Sequence, residues 1–97
     1  MTKFRKKPIV IEAIKWNGGP WGILNDFCGR NWGRADANDV NWTAPLDKEM
    51  VVLWNSIERQ WLLCPVGWWI IRGIKGELYS CAPDIFAATY DPVEDAG

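Results

Sequence analysis

A chain of 97 residues with 11 basic and 12 acidic side chains, a net charge of −1 and no histidine excludes several functions before any motif is read. It lacks the basic surface that displaces counterions from long nucleic acids, an imidazole for a Ser-His or Cys-His nucleophile or a His-bearing zinc site, and any apolar run near the roughly 18 residues of a membrane span. Its 48% hydrophobic and 24% charged residues fit one globular domain over 1–97, of a size at which chains often gain stability by oligomerising.

Residues 1–7 read as a flexible basic lead, with Lys3, Arg5, Lys6 and Lys7 around Phe4. The lead has neither the apolar core nor the cleavage site of a signal peptide, so a cytoplasmic location is expected. Cys28, Cys64 and Cys81 are odd in number and have no Cys-x-x-Cys spacing, which predicts free, mostly buried thiols. Pro8 opens a first strand in which Ile9, Ile11 and Ala13 alternate with Val10, Glu12, Ile14 and Trp16. Both of its faces are largely apolar, as in a central or covered strand.

Asn17-Gly18-Gly19-Pro20 breaks that strand. Trp21, Ile23, Leu24 and Phe27 then recur at helical spacing and Gly29 supplies an end, predicting a short amphipathic helix over 21–28 that covers the sheet. Residues 30–45 hold no clear period and read as a long solvated loop. Within it, Asp36-Ala37-Asn38-Asp39 has acidic spacing but neither the central Gly nor the closing Glu of a calcium loop, so no metal site and no cofactor is expected.

Residues 49–65 resume the sheet. With a turn over Ser56 to Arg59, Trp54 meets Trp61 and Val52 meets Leu63, while Val51, Leu53, Leu62 and Cys64 occupy the other face. A hairpin apolar on both sides must cover one face with either the rest of the domain or another subunit; the subunit is the preferred reading, and a homo-oligomer is expected.

A second hairpin follows, with Gly73 and Gly76 bracketing Ile74-Lys75 in a loop of about four residues. That loop sets Arg72 opposite Glu77, Ile71 opposite Leu78, Ile70 opposite Tyr79, Trp69 opposite Ser80 and Trp68 opposite Cys81. Trp69, Ile71 and Leu78 then form an apolar face, and Trp68, Ile70, Arg72, Glu77, Tyr79 and Cys81 a mixed one. A planar cation beside aromatic rings suits a ligand with both π-surface and negative charge. The candidate ligand-binding residues are Trp68 as stacking platform, Arg72 as anion partner, Lys75 as a second cation at the turn, Tyr79 as a ring bearing a hydroxyl, and Glu77 beside them. The plainer alternative is an exposed Arg72–Glu77 ion pair worth roughly 0 to 1 kcal/mol. Pro83-Asp84 opens a last helix, with Asp84 as cap and Ile85, Phe86, Thr89 and Tyr90 turned to the sheet. Pro92 ends it, and residues 94–97 form an acidic tail expected to be disordered.

FRKKPIVIEAIKW at the amino end and GWWIIRGIKGELYSCAPDIFAATYDP at the carboxyl end together resemble a family of short, mostly uncharacterised bacteriophage proteins. Trp68 stands where that family usually has Asp, and Ser80 and Ala82 where it has Pro and Lys around the cysteine. The resemblance implies a phage-type protein acting in an infected cell, and by analogy of lifestyle an anti-defence role.

The expected architecture is α+β: one twisted antiparallel sheet of about five strands with two short helices, in the order strand, helix, long loop, four strands in two hairpins, helix. Three functions fit this chain. The first is a non-catalytic binder that sequesters a small nucleotide-derived host immune signal, a cyclic nucleotide or cyclic ADP-ribose type molecule. The second is a protein-binding inhibitor of a host defence enzyme, with exposed Trp and Arg as anchors. The third is a small hydrolase of such a signal working through carboxylates, which the missing histidine disfavours.

Overall fold

The computed structural model of the chain describes residues 1–5, 7, 9–34 and 50–93. Pro8, the expected loop beyond Arg34 with its acidic run at 36–39, and the tail from Glu94 lie outside the described residues. The elements are β1 (Glu12–Lys15), α1 (Gly22–Cys28), β2 (Trp32–Arg34), β3 (Val51–Asn55), β4 (Gln60–Cys64), β5 (Trp69–Arg72), β6 (Leu78–Cys81) and α2 (Pro83–Thr89). The α+β class holds. The single five-stranded sheet does not: among the described residues six strands divide into two three-stranded antiparallel sheets, ordered β1-β5-β6 and β2-β3-β4.

The added strand is β2, inside the segment expected to lack structure. Three residues are too few to display a period, and β2 exists because β3 recruits it. Trp32 pairs with Leu53 and Arg34 with Val51, and the Trp54 N–H extends the ladder to the Asn31 carbonyl at 2.9 Å. β1 is likewise shorter than expected and, among the described residues, lies at the edge of its sheet, against β5 alone. Apolar residues on both sides of an edge strand are satisfied differently: Ile14 packs on the core, while Ile9 and Val10 precede the strand and stay exposed.

The core lies where the inward side of each sheet meets α1. Ile70 and Leu78 from the first sheet join Val51, Leu53 and Cys64 from the second, with Trp16 and with Leu24 and Cys28 of α1. The helix forms where its apolar spacing indicated, and Gly29 ends it at φ 63°, a conformation that favours glycine. Two polar groups bind the sheets together. The buried Asn55 amide donates to the Leu78 carbonyl at 2.9 Å, and the Ser80 hydroxyl donates to the Leu63 carbonyl at 2.6 Å. The same Asn55 accepts from the N–H groups of Ile57 and Glu58, closing the four-residue turn of the first hairpin. That hairpin has the expected register, with Trp54 opposite Trp61 and their rings 5.3 Å apart.

The second hairpin departs from expectation by one residue. Arg72 faces Leu78, Ile71 faces Tyr79, Ile70 faces Ser80 and Trp69 faces Cys81, so the loop holds five residues, 73–77. Its closing bond runs from the Gly73 N–H to the Glu77 carbonyl at 2.8 Å. Because side chains alternate along a strand, a one-residue slip exchanges faces. Ile70, Arg72, Leu78 and Ser80 share the core side; Trp69, Ile71, Tyr79 and Cys81 share the other.

α2 covers that other side. Phe86 stacks on Trp69 with ring centroids 4.1 Å apart and planes 7° from parallel, and Tyr90 meets Phe86 at 5.0 Å. Pro83 rather than Asp84 begins the helix. Ala82 is its cap residue without a side-chain cap bond, and Asp84 lies in the first turn, where its charge suits the helix dipole. Ile85, expected to face the sheet, is exposed because seven residues give only one inward position per turn and Phe86 takes it.

Candidate ligand-binding cleft

The two hairpin loops, the segment before β1 and the end of α2 converge on a cleft of about 300 Å³. Ile9 and Ile11, Ile57 of the first hairpin turn and Ile74 of the second line it with apolar surface, and Lys75, Glu77, Tyr79 and Tyr90 bring polar groups to it. Both tyrosines of the chain therefore meet at one place.

Glu77 is the unusual member, a carboxylate only 5% exposed. A buried charge needs partners. One oxygen accepts the Lys75 backbone N–H at 3.0 Å, and the other faces the Tyr79 hydroxyl, which donates across 3.4 Å. Among the described residues it has no salt-bridge partner. The side chain folds back over Gly73, where a Cβ would overlap the carboxylate and stand 2.5 Å from the Tyr79 oxygen. This packing, not the spacing of the glycines, lengthens the loop to five residues. Burial pushes the Tyr79 pKa up, and the Glu77 carboxylate and Tyr90 add to the rise, so at neutral pH the hydroxyl keeps its proton and donates.

The structure brings Lys75, Glu77 and Tyr79 together and separates Trp68 and Arg72 from them. Trp68 precedes β5, is half-buried against the core and accepts the Trp16 N–H through its carbonyl at 2.9 Å. Arg72, on the core side of β5, does not pair with Glu77. Its guanidinium bonds Glu12 at 3.0 Å, donates to the Phe27 carbonyl and lies 4.3 Å from the centroid of the Phe27 ring. With those donors engaged and a ring against its face, Arg72 ties β5 to β1 and α1. The mixed face assumed a four-residue loop, and the fifth residue dissolves it.

A second cation–aromatic group lies elsewhere. Trp21 stacks on Trp32 at 5.7 Å, tilts against Trp16 at 5.2 Å and carries the Arg34 guanidinium 4.8 Å from its centroid. The Trp32 N–H donates to Asn25 at 2.9 Å. These rings pack on the core and on each other, which accounts for several of the eight tryptophans as covering structure. Ile9, Ile11, Ile57, Ile74 and Tyr90 are the cleft residues that sequence reasoning missed. The one available signal was a pair of exposed isoleucines, each at a hairpin tip.

All three thiols are free. Among the described residues no group of three or more acidic or cysteine side chains could hold a metal ion, and no helix is long and apolar enough to cross a membrane. Comparison with protein-family models, with curated proteins and with solved structures gave no match.

Proposed function

We propose that the protein is a non-catalytic binder that sequesters a small nucleotide-derived molecule in this cleft. What carries the reading is the convergence, on one largely apolar slot of about 300 Å³, of two tyrosines, a buried carboxylate and a lysine. A nucleotide answers each part. Its base lies against tyrosine rings and isoleucines, its N–H groups meet an acceptor, and its phosphate meets an ammonium at the exposed rim. The volume sits at the low end of small-molecule sites, which suits one nucleotide unit with the remainder of a larger signal at the mouth. A chain without histidine is better equipped to hold such a molecule than to cleave it. The likeness of both chain ends to short bacteriophage proteins favours a host immune signal, cyclic nucleotide or cyclic ADP-ribose type, held in the cytoplasm of an infected cell.

Calorimetry against a panel of cyclic nucleotides and ADP-ribose derivatives tests this. At least one member is expected to bind, and to be recovered chemically intact after the protein is heat-denatured. Tyr90→Ala and Lys75→Ala should each weaken that binding about tenfold, the loss of one stacking or charge-assisted contact. Arg72→Ala, acting on the opposite side of the sheet, should leave affinity unchanged and cost roughly 1 to 2 kcal/mol of stability through its lost carbonyl and ring contacts. Recovery of a cleaved product would move the hydrolase to first place.

A second reading, inhibition of a host enzyme by direct contact, is favoured by exposed apolar side chains on the two hairpins: Trp61 at 50%, Ile57 at 56% and Ile74 at 71%. It becomes the leading reading if no nucleotide binds. Self-association belongs to either reading, since one face of the first hairpin builds the core and the other presents the Trp54–Trp61 pair. Sedimentation at micromolar concentration is expected to give more than the 11.1 kDa of a single chain; a clean monomer would remove the oligomer.

A further inference from the structure

We infer that the occupant of the cleft presents two adjacent N–H donors to the Glu77 carboxylate, as the Watson–Crick edge of a guanine base does, so that the protein selects guanine over the other bases. This rests on the nucleotide reading above and narrows it. Glu77 is 5% exposed, lines the cleft, and has no cation against it among the described residues. A carboxylate has about four acceptor sites. One is taken by the Lys75 N–H on Oε2 and one by the Tyr79 hydroxyl on Oε1, which leaves each oxygen with spare capacity.

A buried carboxylate under these conditions is best satisfied by a partner that donates to both oxygens at once. Guanine offers N1–H and the 2-amino group side by side. Adenine and cytosine each place a ring-nitrogen lone pair beside their amino group, and uracil flanks its single N–H with two carbonyl oxygens, so each would set a lone pair against one carboxylate oxygen. The Tyr79 hydroxyl cannot relieve that repulsion while it donates to Glu77. The neighbouring Lys75 ammonium is free to meet the phosphate, and it is the one basic residue among those lining the cleft.

The test is titration of the wild type with the 5′-monophosphates of guanosine, inosine, adenosine, cytidine and uridine. Guanosine is expected to bind roughly 5- to 150-fold more tightly than adenosine, the range for one good two-bond base contact, with inosine, which keeps N1–H and lacks the 2-amino group, between them. Glu77→Gln keeps an acceptor for the Lys75 N–H and so preserves the loop, yet replaces one acceptor by a donor; it should abolish the guanosine preference and bring adenosine level or ahead. Adenosine binding as tightly as guanosine in the wild type, or an unchanged ratio in a folded Glu77→Gln, overturns the guanine assignment and leaves the nucleotide reading standing. Binding by none of the five overturns both.

Discussion

Gly73→Ala is expected to cost about 1 to 3 kcal/mol of stability, the range for forcing atoms into a filled site, and to abolish ligand binding. The added methyl has no room, because the position it needs is occupied by the Glu77 carboxylate and crowded by the Tyr79 hydroxyl. Either the carboxylate leaves and forfeits its bonds to the Lys75 N–H and to Tyr79, or the loop opens and its closing Gly73–Glu77 bond is lost. Both outcomes remove the acceptor from the cleft. A double-mutant cycle separates this from a generic intolerance of alanine. With Glu77→Ala in place the carboxylate overlap is gone and only the Tyr79 hydroxyl, released from Glu77, has to turn aside, so the two changes together should be less costly than the sum of the singles by about 1 kcal/mol or more, measured by urea unfolding. Additive losses would show that Gly73 is not held by Glu77.

Stability is also expected to fall steeply above pH 9. Burial pushes the Cys28 thiol up to about 11, against a partial lowering by Arg72, and the Cys64 thiol up to about 12 through burial and the neighbouring Cys28. Unfolded, both ionise from an ordinary value of 9.0. The folded state therefore retains protons that the unfolded state releases. Its advantage is complete below about pH 9 and declines as pH rises toward the folded values. At about 1.4 kcal/mol per pH unit for each thiol, the two together remove on the order of 5 kcal/mol by pH 11, comparable to the whole stability of many small domains. Tyr79, also raised, contributes in the same direction above pH 10. Thermal unfolding followed from pH 7 to 11 should show this decline, and Cys28→Ala with Cys64→Ala should flatten it while lowering the neutral-pH midpoint. A midpoint constant to pH 10.5 would contradict the placement of these thiols in the core.

The first hairpin was legible because its alternating pattern and its polar Ser56–Arg59 turn agree on one register, and the structure keeps both. α1 was legible for the same reason, with Leu24 and Cys28 inward and Gly29 at its end. The second hairpin was legible as a hairpin, but its register was not. Gly73 and Gly76 suggest a four-residue loop, whereas the carboxylate of Glu77 folding into the space above Gly73 requires a fifth residue. That is a packing fact with no signature in a propensity pattern, and it moved Arg72 from an assumed anion site to a bridge between Glu12 and Phe27. The cleft was half-legible. Lys75 and Glu77 came from the loop itself and Tyr79 from the strand that follows it, while Ile9, Ile57 and Tyr90 arrive from segments far apart in the chain and are joined only by the tertiary fold.

The central claim is that a nucleotide occupies this cleft, and methyl-detected NMR of isoleucine-labelled protein tests it most directly. Titration with guanosine 5′-monophosphate should shift the methyls of Ile9, Ile11, Ile57 and Ile74, which line the cleft, and leave those of the core residue Ile70 and the indole N–H of Trp32 at the distant aromatic cluster in place. Shifts confined to the Trp21–Trp32–Arg34 cluster, or no shift at the four isoleucines at saturating nucleotide, would contradict it.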